Sequence, residues 1–160
     1  MTSLVIETPD DMEALGATIA GQLRAGDLVL LNGELGAGKT TLTRGLGAAL
    51  GVRGTVTSPT FVLARTHPRV GAPPLVHVDA YRLSSALELD DLDIDFAASI
   101  VVVEWGAGLL DGLTEDWLDV DILRPTGAAV GESDSEPRTV MFTAHGARWK
   151  DLGWVGAARD

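Results

Sequence analysis

Apolar residues along this chain follow two rhythms. Met12, Leu15, Ile19 and Leu23 recur at helical spacing behind Thr8 as a cap and Pro9 in the first helical position, which predicts an amphipathic helix running until Gly26. DLVLLN, residues 27–32, is instead a short unbroken apolar run with polar ends, the pattern of a buried strand. A glycine-rich loop follows. KTTLTRGLGAAL, residues 39–50, then returns to helix, and Gly51 suits the left-handed position that closes one.

Farther along, TVTSPTFVLART (55–66) and LVHVDAYRL (75–83) are rich in β-branched and apolar residues, with Pro73 and Pro74 marking a turn between them. So short a connection leaves no room for a crossover helix and predicts an antiparallel pair. SSALELDDLDIDFAAS (84–99) opens on capping serines and reads as helix. SIVVVEW (99–105) reads as a central strand covered on both faces. WLDVDILRP (117–125) and RTVMFTAHG (138–146) alternate apolar with polar and predict a hairpin at the edge or end of the sheet. The expected architecture is α/β: one domain over residues 1–147, whose sheet has a central strand covered on both faces and antiparallel hairpin additions. Residues 148–160 are left as a C-terminal tail.

Composition narrows the chemistry. A chain of 160 residues with 46% hydrophobic and 22% charged residues matches a soluble globular domain. It has no cysteine, which excludes disulfides and thiolate metal sites. No basic leader or membrane-length apolar run is present, so a cytoplasmic location without membrane association is expected. A net charge of −11 argues against strong direct binding of nucleic acid, which demands clustered Lys and Arg. Lys39 and Lys150 are the two lysines. Lys39 lies in the glycine-rich loop.

That loop, GELGAGKT from Gly33 to Thr40, matches G-x-x-x-x-G-K-[ST] between a strand and a helix. Gly36 and Gly38 allow backbone N–H groups to approach phosphate oxygens, and the helix N-terminus adds partial positive charge there. Lys39 can reach the terminal phosphates, and the Thr40 hydroxyl can ligate Mg²⁺. Gly33, Glu34, Leu35, Gly36, Ala37, Gly38, Lys39, Thr40 and Thr41 are therefore the candidate nucleotide-binding stretch, with ATP and Mg²⁺ as cofactors. LVHVD and IVVVE each deliver a carboxylate, Asp79 and Glu104, where α/β sheets bind ligands. Either can hold the metal or orient the attacking water, and the central character of its strand favours Glu104. Pro59 forces Ser58 of SPTF extended. Thr60 beside it reads equally as a phosphate sensor or as plain strand entry. Trp105 is either core or a wall of the site. His67, His77 and His145 lack metal-ligand spacing and read as surface or packed residues. The acids at Asp90, Asp91, Asp93 and Asp95 read as a solvated face.

GELGAGKTTLTRG, SPTF, HVDAYRL and VEW, in this order and spacing, resemble the bacterial TsaE (YjeE) family, and the likeness runs from about residue 8 to residue 144. The resemblance implies a single-domain P-loop NTPase-like three-layer α/β fold with a mixed, mainly central-parallel sheet, and a weak Mg²⁺-dependent ATPase needed, with TsaB and TsaD, for threonylcarbamoylation of adenosine beside the tRNA anticodon. It further implies that Thr40 and Glu104 hold the metal, that Lys39 meets the phosphates, and that Asp79, Thr60 and Trp105 matter for activity. Arg138 would help hold the nucleotide. Gly106 and Ala107 depart from the Pro or Ser, then Glu or Gln, common after Glu-Trp in the family. Two rivals stand beside this reading. A small metabolite kinase would need an arginine-bearing lid, of which no clear segment is seen, and a guanine-nucleotide switch would need an N-K-x-D segment, which is missing.

Overall fold

The computed structural model describes residues 2–33, 37–52, 64–69, 71–79, 94–104, 115–124 and 137–155. In chain order the elements are β1 (Thr2–Ile6), α1 (Pro9–Ala20), β2 (Leu28–Asn32), α2 (Lys39–Leu50), β3 (Ala64–Arg69), β4 (Ala72–Asp79), β5 (Ile100–Glu104), β6 (Trp117–Leu123) and β7 (Arg138–His145), with a 3-10 turn at Ala147–Trp149. The seven strands form one sheet in the order β1-β7-β6-β2-β5-β4-β3. β6, β2, β5 and β4 run parallel, while β7, β1 and β3 add antiparallel edges. This is the mixed, centrally parallel sheet that the family resemblance implies.

Strand alternation divides the core. Val29, Leu31, Ile100, Val102, Leu118, Val120, Val140 and Phe142 pack with Met12, Leu15 and Ile19 of α1 and Leu42 and Leu46 of α2. Leu28, Leu30, Val76, Val78, Val101 and Val103 form the opposite layer, joined by Ile94 and Phe96. The two helices approach until backbone meets backbone. A methyl group at Gly16 would lie 2.1 Å from the Leu42 carbonyl oxygen, and one at Gly45 would lie 2.1 Å from that of Glu13.

Several boundaries differ from expectation. α1 keeps its Thr8 cap, whose hydroxyl accepts from the Asp11 N–H at 3.0 Å, but ends at Ala20 rather than near Gly26. Tertiary partners take over there. The Asp27 carboxylate accepts the Arg24 N–H, and the Ser99 carbonyl accepts the Gly26 N–H, so the chain turns while Leu23 still reaches the core. The β3–β4 turn lies at Gly71, and Pro73 and Pro74 belong to β4. Their missing N–H groups cost little, because pairing with β5 begins only at Leu75 and the β3 register shifts between His67 and Arg69. The helix expected over 84–99 is not seen in its described part, where 94–99 forms a turn. Residues 55–63, 80–93 and 105–114 lie outside the described residues.

The β6–β7 hairpin is not at the edge. β1 covers β7 with Leu4 opposite Val140, and β6 is held on its other side by β2. Burial alternates along β1 but its residue types do not, because Val5 between buried Leu4 and Ile6 is apolar and exposed, so the pattern of an outer strand is hidden in the sequence. The segment after β7 packs onto the domain, with Trp149 and Val155 each 1% exposed. Arg148 donates from Nε and Nη2 to the two carboxylate oxygens of buried Asp27, at 2.9 and 2.8 Å. Among the described residues no helix is long and apolar enough to cross a membrane.

Candidate nucleotide site

β2 ends at Asn32, and Gly33 and Ala37–Gly38 flank the loop before α2 begins at Lys39. Gly38 takes φ +120°, a backbone that side chains rarely adopt, and it offers no side-chain cap to the helix behind it. The first-turn N–H groups of α2 therefore need acceptors from elsewhere, and anionic oxygens suit them. Lys39 is 5% exposed, and its ammonium donates to the Gly33 carbonyl at 2.7 Å, which holds the side chain back across the loop. Thr40 and Thr41 follow in the first turn, both partly exposed.

Parallel pairing assembles the carboxylates beside this loop. Leu31 lies in register with Glu104, and Glu104 with Asp79, so both acids stand at the carboxyl end of adjacent central strands, on the α1/α2 face. Arg138, on β7 far along the chain, also reaches the loop: its Nε donates to the Ala37 carbonyl at 3.0 Å. The structure thus brings Gly33, Ala37, Gly38, Lys39, Thr40, Thr41, Asp79, Glu104 and Arg138 to one end of the sheet. Glu34, Leu35, Gly36, Thr60 and Trp105 lie outside the described residues.

The donor set fits a nucleotide with its cation. Among the described residues no group of three or more His, Cys, Asp or Glu could cage a metal ion. A magnesium ion held by a hydroxyl and one or two carboxylates, with phosphate oxygens and water completing six ligands, needs no such cage.

One residue at this site was not anticipated. His77 is fully buried, and its Nε2 donates to Glu104 Oε2. Alternation carried the signal, because His77 stands two residues before Asp79 and so faces the same way. Its pairing with Glu104 needed the register. His67 lies beyond it on the same face of β3, 5% exposed, and burial, then the neighbouring His77 and Arg65, hold it below the ordinary histidine pKa.

A model of the family described as threonylcarbamoyl adenosine biosynthesis protein TsaE matches residues 6–129. The chain belongs to the TsaE family. A Streptomyces coelicolor protein named tRNA threonylcarbamoyladenosine biosynthesis protein TsaE is 61% identical over 142 residues, covering 86% of this chain and 93% of its own length. A Bacillus subtilis protein of the same name is 33% identical, over 90% of this chain and 86% of its own. Similarity extends to three dimensions. The crystal structure of Bacillus subtilis YdiB superposes with a TM-score of 0.74 at 27% identity, covering 99% of this chain and 93% of that one.

Proposed function

We propose that this chain is a Mg²⁺-dependent ATPase of low basal activity that serves tRNA threonylcarbamoyladenosine synthesis in the cytoplasm, acting with TsaB and TsaD. The observation that carries this reading is the juxtaposition of a GKT loop, opening a helix with no side-chain cap, with two carboxylates in register on the neighbouring strands. Lys39 exchanges part of its hold on the loop for the terminal phosphates. The Thr40 hydroxyl and Glu104 carboxylate hold the cation, Asp79 orients water beside it, and Arg138 braces the loop against the nucleotide. Thr60 and Trp105 contribute to the same activity. The cation, when bound, would neutralise charge that develops on the phosphate oxygens. A strongly acidic chain suits a component that energises a tRNA-modifying complex while its partners grip the tRNA.

The deciding experiment is phosphate release from ATP by the purified protein, alone and with the matching TsaB–TsaD complex. A slow basal rate that rises with the complex is expected. An unchanged rate, with the complex shown to be intact, would overturn the partnership. Release that instead requires a small-molecule acceptor would mark a kinase.

A further inference from the structure

Glu104 is 3% exposed at the end of a strand paired on both sides, so its backbone is fixed by β2 and β4 together. His77 is equally fixed: it lies within β4, between β3 and β5, and its side chain is completely buried. The imidazole Nε2 meets Oε2 of Glu104, while Nδ1 is buried with no hydrogen-bond partner among the described residues. A proton on Nδ1 would be a buried donor left unsatisfied, which is costlier than a bare lone pair, so the ring presents its N–H at Nε2. Oε2 is therefore committed as an acceptor.

From this we infer that His77 is a positioning residue for Glu104: it holds Oε2, fixes the rotation of the carboxylate, and leaves Oε1 as the oxygen that serves the cation. The inference rests on the proposed reading of Glu104 as the carboxylate of a nucleotide-bound cation. Hydrogen bonds that orient a ligand in this way govern metal affinity without touching the metal.

The arrangement makes a sharp statement about Glu104→Gln. A glutamine at 104 is nearly isosteric, but the His77 N–H selects its carbonyl oxygen as acceptor. The amide NH₂ is then left where Oε1 was, and an NH₂ group repels a cation. Removing the imidazole donor frees the amide to turn over and offer its oxygen instead.

The test measures binding of a fluorescent non-hydrolysable ATP analogue across a magnesium titration, with thermal melts to confirm folding. It compares the parent protein, Glu104→Gln, Glu104→Ala, His77→Leu, His77→Gln and the double variant His77→Leu/Glu104→Gln. Glu104→Gln is expected to lose the magnesium enhancement of binding, and the double variant to regain part of it. His77→Leu alone should need about tenfold more magnesium for half its effect, whereas His77→Gln, which keeps a donor, should stay near the parent. Binding at zero magnesium should hardly change in His77→Leu and His77→Gln, which keep the charge of Glu104. Should His77→Leu be isolated unfolded, His77→Asn, whose amide is too short to reach Oε2, takes its place. A double variant no better than Glu104→Gln, or a His77→Leu protein (or the His77→Asn that replaces it) with the parent's magnesium dependence, would overturn the positioning role. If the parent's affinity ignores magnesium, or Glu104→Ala leaves its dependence intact, the cation reading of Glu104 fails first and the inference falls with it.

Discussion

Asp121 shows how a single residue carries the cost of its surroundings. It stands in register with Asn32 across the β2–β6 pair, on the face away from α1 and α2. Burial raises its pKa above the ordinary aspartate value, a hydrogen bond from Asn32 opposes the rise, and the charge of Asp119 adds to it. The folded state therefore binds its proton more tightly than the unfolded chain, so stability falls as pH rises through that window, and the whole penalty is present at neutral pH. Asp121→Asn is expected to melt at higher temperature than the parent at pH 7, with the gain vanishing at about pH 3, where both states are protonated. Melting curves at the two pH values check it; equal gains at both would mean that the effect is not electrostatic. The glycine-rich loop was legible at this scale because Lys39 and Thr40 sit in one contiguous motif. His77 and Asp121 were not, because what surrounds each arrives from another strand.

Among the elements, α2 was foreseen from Lys39 to Gly51, since its start is set by the glycine loop and its end by a left-handed glycine at φ +76°. α1 was foreseen at its N-terminus, where Thr8 and Pro9 act locally, and misjudged at its C-terminus, where Asp27 and Ser99 compete for the backbone. The close crossing of the two helices yields a test. Gly45→Ala would drive a methyl group into the Glu13 backbone of α1. Because backbone cannot swing aside as a side chain can, a loss of about 3 kcal/mol is expected. Urea unfolding checks this, and a loss below about 0.5 kcal/mol would show that the helices part without difficulty. The same movement would tilt the start of α2, so ATP affinity should weaken along with stability.

For the molecule as a whole, the Arg148–Asp27 pair ties the segment after β7 to the beginning of β2. Arg148 also donates to the Gln22 carbonyl and lies 4.3 Å from the centre of the Trp149 ring. Asp27 is 4% exposed, so removing its partner strands a buried carboxylate, whereas removing both charges does not. Arg148→Ala should cost about 3 kcal/mol, and adding Asp27→Asn should recover part of that. Denaturant unfolding of the single and double variants checks the coupling, and strictly additive losses would argue against it.

What the sequence determined by itself was local: a glycine-rich loop between strand and helix, the carboxylates that end two apolar runs, and the glycines that start and stop α2. Each depends on neighbours a few residues away, so periodicity and backbone chemistry suffice to specify it. Tertiary structure alone decided the order of the strands, the outer place of β1, the contact of Arg138 with the loop, the burial of Trp149 and the pairing of His77 with Glu104. These depend on register between segments far apart in the chain, and register is set by how the whole core packs rather than by any stretch within it.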